Sequence, residues 1–90
     1  MLMVYCYDVV RDRVRARVAA ALEHSAVRVQ DSVFEARLTR AAADRLFDRV
    51  TQLIEPGDML RMYAVSRPGL ERSRSQGGAP IPEDGNFWIV

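Results

Sequence analysis

The sequence predicts an α+β domain in which two helices lie on one face of a four-stranded antiparallel sheet, with an additional C-terminal strand. Three observations carry this. The chain starts with MLMVYCYDV, a run that is apolar on both of its alternating faces up to the carboxylate. Two later segments repeat apolar residues at helical spacing, and the runs VRVQDSVFEARL and MLRMYAV are rich in β-branched and aromatic residues. In chain order these read β-α-β-β-α-β.

Residues 1–8 form the first strand. Leu2, Val4 and Cys6 point one way and Met1, Met3, Tyr5 and Tyr7 the other. A strand apolar on both faces is a central strand covered on both sides, and Cys6 accordingly reads as core. Asp12 is the expected N-cap of a helix over 13–24. Val14, Val18, Ala21 and Leu22 make its apolar stripe, with Arg15 and Arg17 on opposite flanks at the edge of the buried face. His24, the only histidine, answers the dipole at the end of that helix. Residues 27–38 divide into two short strands with a turn near 30–32.

Thr39 caps the second helix, which runs through Ile54 on Ala42, Ala43, Leu46, Phe47, Val50, Leu53 and Ile54 until Pro56-Gly57 stops it. MLRMYAV, 59–65, is the last core strand. The stretch 66–80 reads as a loop, and FWIV at 87–90 as a strand that pairs with a sheet edge, of its own subunit or of a partner. The expectation is therefore one ferredoxin-like domain over 1–90, with a core at 1–66 and a basic loop and C-terminal strand at 67–90. Two helices cover one sheet face only, so the apolar second face calls for a second copy. A homodimer packed through the open sheet is expected.

Composition narrows the function classes. With 49% hydrophobic residues the chain is not a disordered tail, and no apolar stretch approaches the roughly 20 residues that span a bilayer. A single cysteine allows no internal disulfide, which makes a cytoplasmic setting the default. The net charge of +1 conceals that all 13 basic residues are Arg. Arg grips phosphate bidentately, but base composition of the genome can produce the same bias, so position carries the argument. Arg11, Arg13, Arg15, Arg17 and Arg28 cluster early, and Arg67, Arg72 and Arg74 form a second group near the C-terminus.

No Walker loop, paired-cysteine zinc site, HExxH or GxSxG occurs. Asp8 stands out: it lies at the carboxyl end of a central strand, where a carboxylate is either a turn former or a ligand. Mg²⁺ is commonly held by one or two carboxylates plus waters and substrate phosphates. A two-fold axis close to the first strand would bring two Asp8 side chains together, with Arg15 and Arg17 able to hold a phosphodiester. Phe34 reads as core in preference to a base-stacking platform, while Arg28 is open between phosphate contact and solvated edge.

The same residues carry a family resemblance. YDV at 7–9, the Asp-Arg-x-Arg-x-Arg run of 12–17, RVQDSVFEARLT at 28–39 and the Pro-Ile-Pro-Glu followed by FWIV at the C-terminus resemble the CRISPR-associated protein 2 family. The resemblance implies a ferredoxin-like homodimer of the spacer-acquisition machinery in CRISPR antiviral defence. It also implies a partner, the integrase CRISPR-associated protein 1, whose dimers it bridges on DNA. Members are described as Mg²⁺-dependent endonucleases on single-stranded RNA or double-stranded DNA, hydrolases whose strand-end Asp holds Mg²⁺ or a similar cation such as Mn²⁺ at the dimer interface. By position Asp8 matches that catalytic, metal-binding residue. Arg15, Arg17 and Arg28 match nucleic-acid-binding positions, and Tyr7, Ser32 and Phe34 match further motif positions without an assigned role. Ala26 departs from the usual Gly, and Asp31 places negative charge where an aromatic or basic residue is common. The adapter role is accordingly expected ahead of cleavage, with a purely structural scaffold as the alternative.

Overall fold

The computed structural model describes residues 1–82; FWIV at 87–90 lies outside the described residues. The elements are β1 (Leu2–Asp8), α1 (Asp12–Glu23), β2 (Val27–Gln30), β3 (Val33–Arg37), α2 (Arg40–Thr51), β4 (Met59–Val65) and a short α3 (Arg67–Glu71). The sheet order is β2-β3-β1-β4, with β1 antiparallel to both neighbours. This is the ferredoxin-like arrangement, with the doubly apolar β1 at its centre.

Strand alternation decides what faces the helices. Met3, Tyr5 and Tyr7 of β1 are buried, as are Phe34 and Ala36 of β3. Val14, Val18, Ala19 and Leu22 of α1 and Ala43, Leu46 and Val50 of α2 close over them. Ala19, not Ala21, completes the α1 stripe; Ala21 packs at its margin. Tyr5, Phe34, Leu22, Val18 and Val50 lose essentially all contact with solvent. Burial of a large apolar side chain stabilises by about 1.5–3 kcal/mol, so these five residues fix where the helices dock. The Tyr5 hydroxyl donates to the Ala43 carbonyl oxygen at 2.9 Å, tying the sheet's central strand to α2.

Several local expectations are corrected. Arg11, extended and without a side-chain cap bond, is the N-cap of α1. Asp12 is instead the first helical residue, where its carboxylate suits the positive helix end and meets Arg15 three residues on. Arg17 is exposed and not at the edge of the buried face, whereas Arg15 is half-buried. Thr39 does cap α2, accepting from the Ala42 amide at 3.2 Å. That helix ends at Thr51 and not Ile54, because the Leu53 amide turns back to the Val50 carbonyl in a tighter turn. Leu53 and Ile54 still pack on the core from beyond the helix end. Within 66–80 a short helix forms where a loop was expected: Ser66 accepts from the Gly69 amide and Pro68 sits in the first turn. That Ser-x-Pro-Gly pattern is itself a helix start signal.

The second face of the sheet carries Leu2, Val4, Cys6 and Asp8 of β1 beside Met59, Arg61, Tyr63 and Val65 of β4. The chain covers one end of it. Residues 73–79 and Ile81 lie over Leu2, Val4, Val29, Glu35 and Val65, lining a half-open cavity of about 460 Å³. Gly77 and Gly78, with φ of 74° and 70°, take left-handed backbone that lets the segment turn there. Leu2 is thereby buried, but Cys6 is only half-buried and Tyr63 is 50% exposed. Cys6 is thus not core within one chain.

Candidate functional site

The carboxyl end of β1 gathers most of the residues singled out in the sequence, and the sheet divides them between its two faces. Asp8 is exposed on the open face, paired in register with Met59 of β4. Tyr7, one residue earlier, points to the helix side, where its ring stacks on Phe34 with centroids 6.3 Å apart. The Arg28 guanidinium lies over the outer face of this cluster, 5.2 Å from the Phe34 ring centre. Phe34 itself is fully buried, which makes it core and leaves no ring face for a nucleobase.

Tyr7 anchors the turn between β2 and β3. Its hydroxyl donates to the Asp31 carbonyl oxygen at 3.1 Å and its amide to the Ser32 carbonyl at 3.2 Å. Burial pushes the Tyr7 hydroxyl pKa up; Arg28 pulls it back, Glu23 pushes it up again, and Arg15 and Asp31 act in opposite senses. Those charges define a mixed but Arg-bearing surface around the hydroxyl. Ser32 is half-buried in the turn. His24 lines a cavity with Met1 and Thr39 at the other end of β1, away from Ser32.

The loop leaving Asp8 is held at three points. Arg15 donates to the Val9 carbonyl at 2.7 Å and also meets Val10 and Asp12. The Val10 amide donates to Asp58 at 3.1 Å, and the other oxygen of that carboxylate accepts from the Glu55 amide. Arg11 pairs with Glu55 at 3.0 Å. Arg15 is therefore a fastener of this loop with part of its donor set engaged. Arg17 stands exposed on α1 without an ion pair among the described residues. Asp58, Glu55 and Arg61 escaped the sequence reading. Asp58 directly after Pro-Gly carried a local signal, being a common turn residue that bonds nearby backbone amides.

The donor set for a cation is one hard carboxylate per chain. Asp58 is spent on backbone amides, and no group of three His, Cys, Asp or Glu able to hold an ion forms among the described residues. A single carboxylate suits Mg²⁺ only as part of a shared site completed by water, phosphate or a second chain.

The model of the family described as CRISPR associated protein Cas2 matches residues 1–72. This chain belongs to the Cas2 family. A curated relative from Chloroflexus aurantiacus, named CRISPR-associated endoribonuclease Cas2 3, is 36% identical over 91 residues, covering 100% of this chain and 98% of the relative. Among solved structures, Streptococcus pyogenes Cas2 superposes with a TM-score of 0.71 at 29% identity, covering 86% of this chain and 100% of that one. A chain in a structure described as a partial Cas6-RT-Cas1–Cas2 complex matches with a TM-score of 0.73 at 26% identity, over 94% of each chain. The Cas2 family match spans every element from β1 to α3, which includes all the residues gathered at the carboxyl end of β1. No helix among the described residues is long and apolar enough to cross a membrane.

Proposed function

We propose that this Cas2 family member is a homodimeric adapter of CRISPR spacer acquisition in the cytoplasm, joining the integrase Cas1 to nucleic acid. The observation that carries the reading is the division of labour between the two sheet faces. The open face keeps Val4, Cys6, Met59 and Tyr63 partly exposed beside Asp8, which suits a second copy packed there. Arg15, Arg17 and Arg28 lie on the helix side, where phosphate can reach them without entering that interface. The resemblance to a chain of a solved Cas1–Cas2 assembly supports the choice of partner. Segment 73–81 covers the Leu2 end of the open face, so the remaining contact area lies toward Asp8, and the two-fold axis passes near it.

A second reading, metal-dependent phosphodiester cleavage of single-stranded RNA or double-stranded DNA, is favoured by one observation. Asp8 is exposed at a strand end and its carboxylate makes no hydrogen bond or ion pair among the described residues. Paired across the dimer, two such carboxylates would hold Mg²⁺ or Mn²⁺, whose chemistry is to activate water and stabilise charge on the phosphate. In this chain Asp8 would bind the ion and the Arg side chains would position the backbone. The name endoribonuclease carried by curated relatives points the same way.

Asp8→Asn, assayed twice on one preparation, separates the readings. The adapter reading expects Cas1 binding and spacer integration to survive while any Mg²⁺-dependent cleavage disappears. Loss of Cas1 binding in a folded, dimeric Asp8→Asn protein would sink the adapter reading. Cleavage that persists in the variant would sink the Asp8 metal site.

A further inference from the structure

Tyr7 is buried on the helix side of β1, yet both of its polar groups reach past its own strand. Its amide donates to the Ser32 carbonyl at 3.2 Å and its hydroxyl to the Asp31 carbonyl at 3.1 Å. One residue thus holds two successive carbonyls of the turn between β2 and β3. The register of β3 against β1 runs to the Val33–Cys6 pair, so the amide bond carries that pairing one residue into the turn. The hydroxyl bond fixes the next carbonyl.

What the turn controls is β2. That strand is four residues long, lies at the sheet edge and pairs with β3. Its register shifts between Arg28 and Gln30, leaving Val29 as the extra residue of a bulge. A bulge interrupts the ladder and re-aims the side chains beside it. On the turn side, therefore, the ladder holds Arg28 weakly, and the path of the chain there depends on residues 31–32. Arg28 pairs in register with Phe34, and its guanidinium lies 5.2 Å from that ring's centre. The side chain is exposed and makes no ion pair among the described residues, so its donors are open to a ligand. Tyr7 and Arg28 also sense each other: after burial, Arg28 is the largest influence on the Tyr7 hydroxyl.

An Arg side chain has much rotamer freedom to lose, and a guanidinium already held in place loses less of it on gripping a phosphate. We propose that Tyr7 is the positioning residue for Arg28. By pinning the Asp31–Ser32 turn to β1, it makes the edge strand present the Arg28 guanidinium to a nucleic-acid phosphate in one place. The inference rests on the nucleic-acid reading of Arg28 above and gives Tyr7 a role within it. It needs only the single chain.

Wild type, Y7F, R28A and Y7F/R28A, each as the full chain, are titrated onto a labelled duplex DNA at several salt concentrations. Y7F keeps the ring and its stack on Phe34, so the fold is retained. R28A should lower the slope of log affinity against log salt by about 1. Y7F should raise the Kd about three-fold at fixed salt, and should add nothing once Arg28 is gone, because the two residues act as one unit. In the DNA-free protein, the heteronuclear NOE at Arg28 Nε should fall in Y7F while that at Arg17 Nε stays unchanged. A Y7F penalty of equal size in the R28A background would overturn the inference, since Tyr7 would then act on the fold at large. A wild-type Kd or an unchanged Arg28 NOE in Y7F would overturn it as well. R28A with wild-type affinity and slope would instead sink the nucleic-acid reading of Arg28, and the positioning role with it.

Discussion

Tyr5→Phe removes one oxygen from the centre of the fold and changes stability in opposite directions at neutral and at alkaline pH. The lost group is the hydroxyl that donates to the Ala43 carbonyl at 2.9 Å from a fully buried ring. That carbonyl lies inside α2 and keeps its helical partner four residues on, so the penalty is a lost hydrogen bond and not an orphaned acceptor. The expected cost at pH 7 is about 1 kcal/mol. For 90 residues, with an unfolding entropy of about 2.1 cal/mol/K per residue, that lowers Tm by about 5 °C. Burial, helped by Asp44, pushes the Tyr5 pKa from 10.0 to about 12.

A pKa raised on folding stabilises fully below the unfolded value, and that contribution is lost as pH climbs from about 10 through 12. The wild type therefore loses up to about 2 kcal/mol over this window relative to Tyr5→Phe, and the two stability curves cross near pH 11. Urea unfolding followed by circular dichroism from pH 7 to 12, at one fixed protein concentration, measures both effects. A variant equal to wild type at pH 7 would refute the role of the Tyr5–Ala43 bond. Parallel curves without a crossing would refute the buried, proton-holding hydroxyl.

Phe34→Ala should cost about 3–5 kcal/mol, a large share of a small domain's stability, and nucleic-acid binding should fall only in step with unfolding, as chemical denaturation on the same samples would reveal. A binding loss in a fully folded variant would contradict the assignment of Phe34 to the core. Arg28→Ala should lose about 0.5–1 kcal/mol of cation–π stabilisation. It should also reduce the slope of log affinity against log salt on duplex DNA by about 1 for each Arg28 engaged; an unchanged slope would make Arg28 a cover for Phe34 and nothing more. Cys6 should react with a thiol reagent at a rate that falls as protein concentration rises, because the open face closes on dimerisation. A rate independent of concentration would speak against that face as the interface.

Much of this fold was legible because hydrophobic periodicity is a local signal. MLMVYCYDV announced the central strand, Thr39 its cap, and MLRMYAV occupies β4 residue for residue. The misses are of two kinds. Some are competing local signals: Asp12 suits a cap and a first turn equally, and the Gly and Ser around Ser66 and Pro68 mask a helix start. Others depend on contacts far apart in sequence. That Arg15 would spend donors on the Val9 carbonyl, or that Arg28 would lie over Phe34, needs the loop path and the β2–β3 register. Alternation alone already put Asp8 on the face of Leu2, Val4 and Cys6. What it did not disclose is that Arg15, Arg17 and Arg28 would collect on the other side, because helix placement over the sheet decides that. Alternation also did not disclose that segment 73–81 of the same chain lies over part of the second face.

The three fastenings on the loop after Asp8 matter more in a symmetric molecule than they would in a lone enzyme. Across a two-fold axis, any displacement of one Asp8 away from the axis is repeated by its mate, so the gap between them changes by twice that amount. A cation held between the two Asp8 side chains, as proposed above, would sense the doubled error because its range of bond lengths is narrow. In the proposed dimer, Arg15 on the Val9 carbonyl, Asp58 on the Val10 amide and Arg11 on Glu55 would therefore act as a tolerance control. They hold one small loop to the precision that two copies of it require.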